Sequence, residues 1–282
     1  MTVGIDDLQT WHRPAPDALR GLVGGLNGYD ERTSGPLTRR ELPHPGVVFI
    51  LEIGEPIEVG DAGAEAGERH AGSFVAGIYE GVAVCRHGGA QSGIEVNLTP
   101  RGARRLLGLP LHALTNRSVS VRDLLPAHHR DLPARLAATD VWSARLRMVE
   151  AVLLERLREP VAQERMVDWA VGRIVASGGR VDVGGLVRAL GYSHTHVGRL
   201  FRDHVGLPPK RLARLVRFDA LRRRLAAERE VDWASWAIEL GFSDQAHLAR
   251  EVRRFTGRTP TALRAASWRQ VDSVQDPGSG AA

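Results

Sequence analysis

Arg199 and Arg250 hold matching places after two copies of one phrase, Leu190-Gly191-Tyr192-Ser193 and Leu240-Gly241-Phe242-Ser243. A guanidinium is a planar fork of donors that fits the edge of a guanine or two phosphate oxygens. Further donors surround each arginine: Thr195 and His196 beside the first, Gln245 and His247 beside the second. Two such sets on one chain suit the reading of a polyanion with patterned edges better than they suit bond-making chemistry.

The spacing predicts that each set rides on the opening turn of a helix. In the first unit Asp182 is placed to cap a helix with Val183, Leu186, Val187 and Leu190 on one stripe. Gly191 supplies the sharp turn, and Ser193 caps a second helix that buries Val197, Leu200, Phe201 and Val205. His194, Thr195, His196, Gly198, Arg199 and Arg202 are left outside. The second unit repeats the plan. Asp232 precedes Trp233, Trp236, Ala237 and Leu240; Gly241 turns the chain; Asp244 caps a helix with Leu248, Val252 and Phe255 inside. Gln245, Ala246, His247, Ala249 and Arg250 face out.

Each second helix stops at a glycine with proline close behind, Gly206 before Pro208 and Pro209, and Gly257 before Pro260. A helix, a tight turn and a basic second helix is the layout of a helix-turn-helix whose second helix enters the major groove. Between the units, Pro208 to about Ala227 reads as one long helix, with Leu212, Val216 and Leu225 inward. Its arginines read as outward, Arg222-Arg223-Arg224 forming a solvated face. Such a strut would hold the reading helices about 34 Å apart, one turn of B-DNA.

Charge placement agrees. Residues 178–268 hold seventeen Lys and Arg against nine Asp and Glu, a net +8, whereas residues 1–177 hold twenty against twenty-two. Lys210 is the only lysine, so the abundance of arginine reflects coding bias and carries no weight by itself. With 282 residues and 43% hydrophobic content, two domains are expected. The fold class expected is α+β: a mixed α/β sensor or dimerisation domain over 1–160, an all-α bipartite domain over 161–268 and a disordered tail over 269–282. The link between the domains is expected as a hinge at Glu159 to Arg165. No apolar run approaches the ~20 residues that span a bilayer, and no basic-then-apolar leader opens the chain. A soluble, cytoplasmic protein with no membrane partner is the expectation.

In the first domain, Asp17 to Leu26 reads as a short helix, and Pro43-His44-Pro45-Gly46 as a turn into a strand over Val47 to Leu51. Ser73 to Tyr79, Val82 to Arg86 and Ile94 to Leu98 read as further strands, and Gly60 to Gly72 as a mobile loop. Thr99-Pro100 opens a helix that runs to Leu107. Trp142, Leu146, Val149, Leu153 and Leu157 form a helical stripe that ends at Pro160. That stripe either closes its own domain's core, the more ordinary reading, or forms a seam between two chains.

From about Val181 to Arg264 the chain resembles the tandem helix-turn-helix domain of AraC/XylS-type transcription regulators. The resemblance rests on Gly191-Tyr192-Ser193, Arg199-Leu200-Phe201-Arg202, Gly206-Leu207-Pro208-Pro209-Lys210, Arg217, Gly241-Phe242-Ser243-Asp244-Gln245, Arg250, Gly257, Pro260 and Arg264. It implies promoter or operator DNA as partner, with Thr195, Gly198 and Arg199, then Gln245, His247 and Arg250, at base-reading positions. Gly198 has no side chain, so that contact is either lost or replaced by His196. Ser193, Arg202, Lys210, Ser243, Arg253 and Arg254 are assigned to the DNA backbone. Leu248 and Val252 stand where the family usually has phenylalanine, and Glu251 at a commonly apolar position, which implies a looser second unit. Leu98-Thr99-Pro100-Arg101-Gly102-Ala103 to Leu109, with Leu114-Thr115-Asn116, resembles an upstream domain of some members. That implies a small-molecule effector or a homodimer, with RNA polymerase as a further partner and no cofactor.

Rival chemistry is thin. Cys85 is the only cysteine, which excludes an intramolecular disulfide and a multi-cysteine zinc site. A DNA-repair enzyme using Cys85, a metal site joining Cys85 and His87 to His44 or His70, and a ligand-binding adaptor without DNA binding are the alternatives. His128-His129 reads as a turn pair. No metal ligands and no enzymatic activity are expected.

Overall fold

The structure is a computed structural model that describes residues 5–61, 68–70, 72–228 and 230–266. Two antiparallel sheets form the first half. The larger has the order β1 (Ile5–Arg13), β2 (Val23–Thr33), β9 (Ala90–Leu98), β4 (Val47–Glu52), β7 (Phe74–Ala76), β10 (Ser118–Ser120). The smaller has the order β3 (Leu37–Glu41), β8 (Ala83–His87), β5 (Ile57–Asp61), β6 (Glu68–His70).

Alternation along β9 sets the two faces of the large sheet. Ile94, Val96 and Leu98 point one way into the main apolar core, while Gln91, Glu95 and Asn97 point the other way. The first face is covered by α1 (Pro100–Leu107), α2 (Val121–Leu124), α3 (Leu132–Ala137) and α4 (Trp142–Arg156). Across the second face a small apolar cluster of Ile50, Val59 and Phe74 joins the two sheets, with Cys85 packed on it. The expected cap at Thr99 forms, its hydroxyl accepting from Gly102 N at 3.0 Å. Leu146, Val149 and Leu153 of α4 are buried in the main core, so the stripe closes its own chain's core.

The structure corrects part of the N-terminal reading. Asp17 to Leu26 is not a helix: a 3-10 turn covers Asp17–Leu19, and the chain then extends into β2. The physical reason is strand pairing, since Val23 and Leu26 pair with Leu98 and Val96 of β9, and α4 packs closely on the strands beyond. Trp142 stacks on Trp11 of β1 with ring centroids 4.2 Å apart, and a Cβ on Gly28 would sit 2.7 Å from the Trp142 ring. Strands β1 and β3 carry no compact apolar run, because Asp, Gln, Thr, Arg and Glu dominate them. Gly60 and Asp61 complete β5, and Glu68–His70 form β6, so the expected loop is partly strand. Residues 62–67 and 71, and the expected tail over 269–282, lie outside the described residues.

The second half holds α5 (Ala162–Ala176), α6 (Val183–Ala189), α7 (His194–Val205), α8 (Pro209–Ala227), α9 (Trp233–Glu239), α10 (Gln245–Thr256) and α11 (Pro260–Ala265). Packing crosses the expected junction. The main core runs on through Val167, Ala170 and Ile174 of α5 into the C-terminal helices. Arg104 donates to buried Glu164 at 3.1 Å, and Arg101 pairs with Asp168 at 3.0 Å. Among the described residues no helix is long and apolar enough to cross a membrane.

Candidate nucleic-acid interface

Local chemistry builds both units as the spacing predicts. Asp182 accepts from Gly184 N and Gly185 N at 3.0 and 2.9 Å and starts α6. Gly191 takes φ +73°, and Ser193 Oγ accepts from His196 N at 3.2 Å to start α7. In the second unit Asp232 accepts from Ala234 N at 3.0 Å, and Gly241 takes φ +78°. Asp244 accepts from His247 N at 2.6 Å, a bond that holds its carboxyl below the usual range. Val197, Leu200, Phe201 and Val205 are buried under α7, and Leu248, Val252 and Phe255 under α10.

Thr195 and Arg199 are exposed on α7, as are Gln245 and Arg250 on α10. His196 is half-buried and stacks on exposed Tyr192, with centroids 4.7 Å apart. Tyr192 therefore joins this surface. Its only sequence signal was an aromatic residue at a turn, off both apolar stripes. His247 folds back over the turn, where its Nδ1 lies 3.2 Å from Ser243 N and 3.1 Å from Ser243 Oγ. Ser243 and His247 are thus tied together through Nδ1, and Nε2 is the ring nitrogen not engaged with Ser243.

Thr195, Arg202, Lys210 and His247 are brought together on one open groove of about 1050 Å³, which Gly198, Arg214, Arg217 and Glu251 also line. Ser193, His196, Arg199, Ser243, Gln245, Arg250, Arg253 and Arg254 stand outside it. Arg202, Lys210, Arg253 and Arg254 are exposed.

The connector departs from expectation. Arg223 is exposed, but Arg214, Arg217, Arg222 and Arg224 are half-buried and engaged. Arg214 Nε donates to Glu251 Oε2 at 2.7 Å, and its second nitrogen reaches Glu251 Oε1. Arg217 donates to Gly179 O at 2.8 Å and lies over the Phe242 ring. Arg222 pairs with Asp219 at 3.0 Å. Arg224 lies over the Trp236 ring at 4.4 Å and pairs with Glu228 and Glu239. The reason is that α9 and α10 pack on the polar side of α8 and cover it. Glu251 is correspondingly a partner for the strut and not a defect in the core: Leu248 and Val252 are fully buried, so the looser unit is not found.

The N-terminal half meets the far end of α7. Thr115 Oγ1 donates to Gly206 O at 2.9 Å, His112 Nδ1 lies 3.1 Å from Asp203 Oδ1, and Arg211 pairs with Glu80 at 2.9 Å. These contacts leave the starts of both reading helices uncovered.

Cys85 lies in an apolar setting. It packs on Ile50, Val59 and Phe74, and burial pushes its thiol well above the usual range. Among the described residues it belongs to no group of metal-capable side chains; the one such group is His128, His129 and Glu155.

A family model described as a helix-turn-helix domain matches residues 186–266. It bears out the resemblance over that region. No curated protein matches the chain. Among solved structures, ToxT from Vibrio cholerae is similar at 6% identity over 92% of this chain and 97% of that one, with a TM-score of 0.45. ToxT bound to an unsaturated fatty acid is similar at 8% identity over 83% of this chain and 96% of that one, with a TM-score of 0.42. The AraC-like transcriptional activator CuxR is similar at 17% identity over 79% of this chain and 87% of that one, with a TM-score of 0.29.

Proposed function

We propose, for a chain whose residues 186–266 form an AraC-type helix-turn-helix domain, that it regulates transcription by reading two neighbouring major-groove segments of duplex DNA. One observation carries this: the starts of α7 and α10 are both capped and exposed, while Thr115 and His112 of the N-terminal half meet α7 at its far end, at Gly206 and Asp203. Arg199 and Arg250, with Thr195, His196, Gln245 and His247, take the base edges, His247 through Nε2. Ser193, Arg202, Lys210, Ser243, Arg253 and Arg254 hold phosphates, supplying affinity and its salt dependence.

Residues 1–160 act as the sensing domain, and the effector site lies between the two sheets. The support is the polar interior there. Tyr29 donates to Glu52 at 3.1 Å, Arg39 pairs with buried Glu31, and Asn97 donates to Glu95 at 2.6 Å. RNA polymerase and a second copy of the chain are the protein partners this reading calls for. The apolar packing of Cys85 against Ile50, Val59 and Phe74 favours this reading over a repair enzyme that uses its thiol.

Selection of bound sequences from a random DNA pool, followed by footprinting at two salt concentrations, tests the reading. Two protected segments about one helical turn apart are expected. Arg199→Ala should cost about 1–3 kcal/mol and relax choice at one position. A variant that binds selected and random DNA as the parent does removes Arg199 from the groove.

A further inference from the structure

The short turn Ala127–His129 carries two adjacent histidines, and Glu155 in the last turn of α4 faces both. His128 Nε2 lies 3.2 Å from Glu155 Oε1, and His129 Nε2 lies 3.3 Å from Glu155 Oε2. One ligand atom from each residue falls within 4.8 Å of the other two. We propose that this triad binds a zinc-class divalent cation through His128 Nε2, His129 Nε2 and a Glu155 oxygen, with a fourth position open to water.

Three observations support the assignment. The first is spacing. Tetrahedral zinc with arms of about 2.0–2.1 Å holds its ligand atoms roughly 3.3–3.4 Å apart; each imidazole nitrogen lies about that far from one of the two Glu155 oxygens, and a rotation of the carboxylate brings a single oxygen between them. The second is the state of His129. It is 5% exposed, and its Nε2 has no hydrogen bond even though the carboxylate is 3.3 Å away. Buried polar atoms are nearly always partnered, and a cation in line with the ring would satisfy this one. The third is donor type. Two imidazoles and one carboxylate suit zinc, cobalt or nickel and do not suit calcium or magnesium, which take oxygen ligands.

Position gives the site a physical consequence. Glu155 is followed by Arg156, whose Nε donates to Leu106 O at 3.0 Å, and the chain then runs to α5 and the DNA-binding helices. A bound cation would pin the last turn of α4 to the Ala127–His129 turn, next to the segment that joins the two halves.

Titration of the full chain, stripped with chelator, with Co(II) and then Zn(II) tests this without reference to DNA. One equivalent of Co(II) should give the intense visible absorption of a tetrahedral site, and Zn(II) should displace it. His128 and Glu155 are exposed enough for His128→Ala and Glu155→Gln to fold. Each should weaken binding by more than the about 10–100-fold that loss of an outer-shell partner costs. Absence of Co(II) and Zn(II) uptake would overturn the proposal. So would uptake that both variants leave unchanged, since the cation would then sit elsewhere, such as at His194 and His196.

Discussion

Replacing Glu251 with alanine removes the carboxylate that fastens α10 to the connector α8. Glu251 is the residue where the second unit departs from an apolar pattern, and its side chain is 10% exposed against 27% for Arg214. Loss of one partner from a fully buried pair costs about 3–5 kcal/mol. Loss from an exposed pair costs about 0–1 kcal/mol. Arg214 keeps partial access to water and can rehydrate, so the expected cost falls between these limits, at about 2 kcal/mol. That is a factor of about 30 in the folding equilibrium. Urea denaturation of the full chain measures it, and footprinting reads the functional side. Protection of the segment read by α10 should fade before that of the segment read by α7, because the pair sets how α10 sits on the strut. Arg214→Met combined with Glu251→Leu should recover most of the stability, since an apolar pair replaces a buried ionic one at little cost. The reasoning is refuted if Glu251→Ala stays within about 0.5 kcal/mol of the parent, or if the double variant is no more stable than the single.

Two further outcomes follow from the geometry. Gly191 and Gly241 both have positive φ, so alanine at either should cost about 1–2 kcal/mol in backbone strain. A Cβ at Gly191 meets open space, whereas one at Gly241 would lie 2.3 Å from Arg180 Cγ and disturb its bond to Glu239 O. Gly241→Ala should therefore lower the melting temperature further than Gly191→Ala; equal shifts would contradict the packing around Arg180. Burial pushes the Glu52 carboxyl up to about 7 from an ordinary 4.5, against opposing hydrogen bonds from Gly54 N and Tyr29 OH. The native state thus favours the protonated form. Stability from this group is greatest below pH 4.5 and falls by about 3 kcal/mol as pH rises to 7 and beyond. Glu52→Gln should flatten that slope in urea titrations at pH 5 and pH 8, and an unchanged slope would rule out Glu52 as its source.

The units that carry the interface were legible because their signals are local. A cap such as Ser193 or Asp244, a turn glycine and a stripe such as Val197, Leu200 and Phe201 act over three or four residues, so spacing alone places them. The strand Val47–Glu52 was legible for the same reason, as a compact apolar run. Which arginines remain available was not. Arg199 and Arg214 look alike in the sequence, yet one is exposed and the other is held by Glu251, a partner far along the chain. Strands β1 and β3 have no legible signal of their own because polar residues dominate them; their pairing comes from β2 and β8. Glu155 could not be joined to His128 and His129 from spacing, since only the packing of α4 beside the Ala127–His129 turn brings them together. Local hydrogen bonding and periodic apolar contacts are written in neighbouring residues, so the sequence determined the two helix pairs by itself. Partners across long stretches of chain depend on which faces meet, and that only the tertiary structure decided.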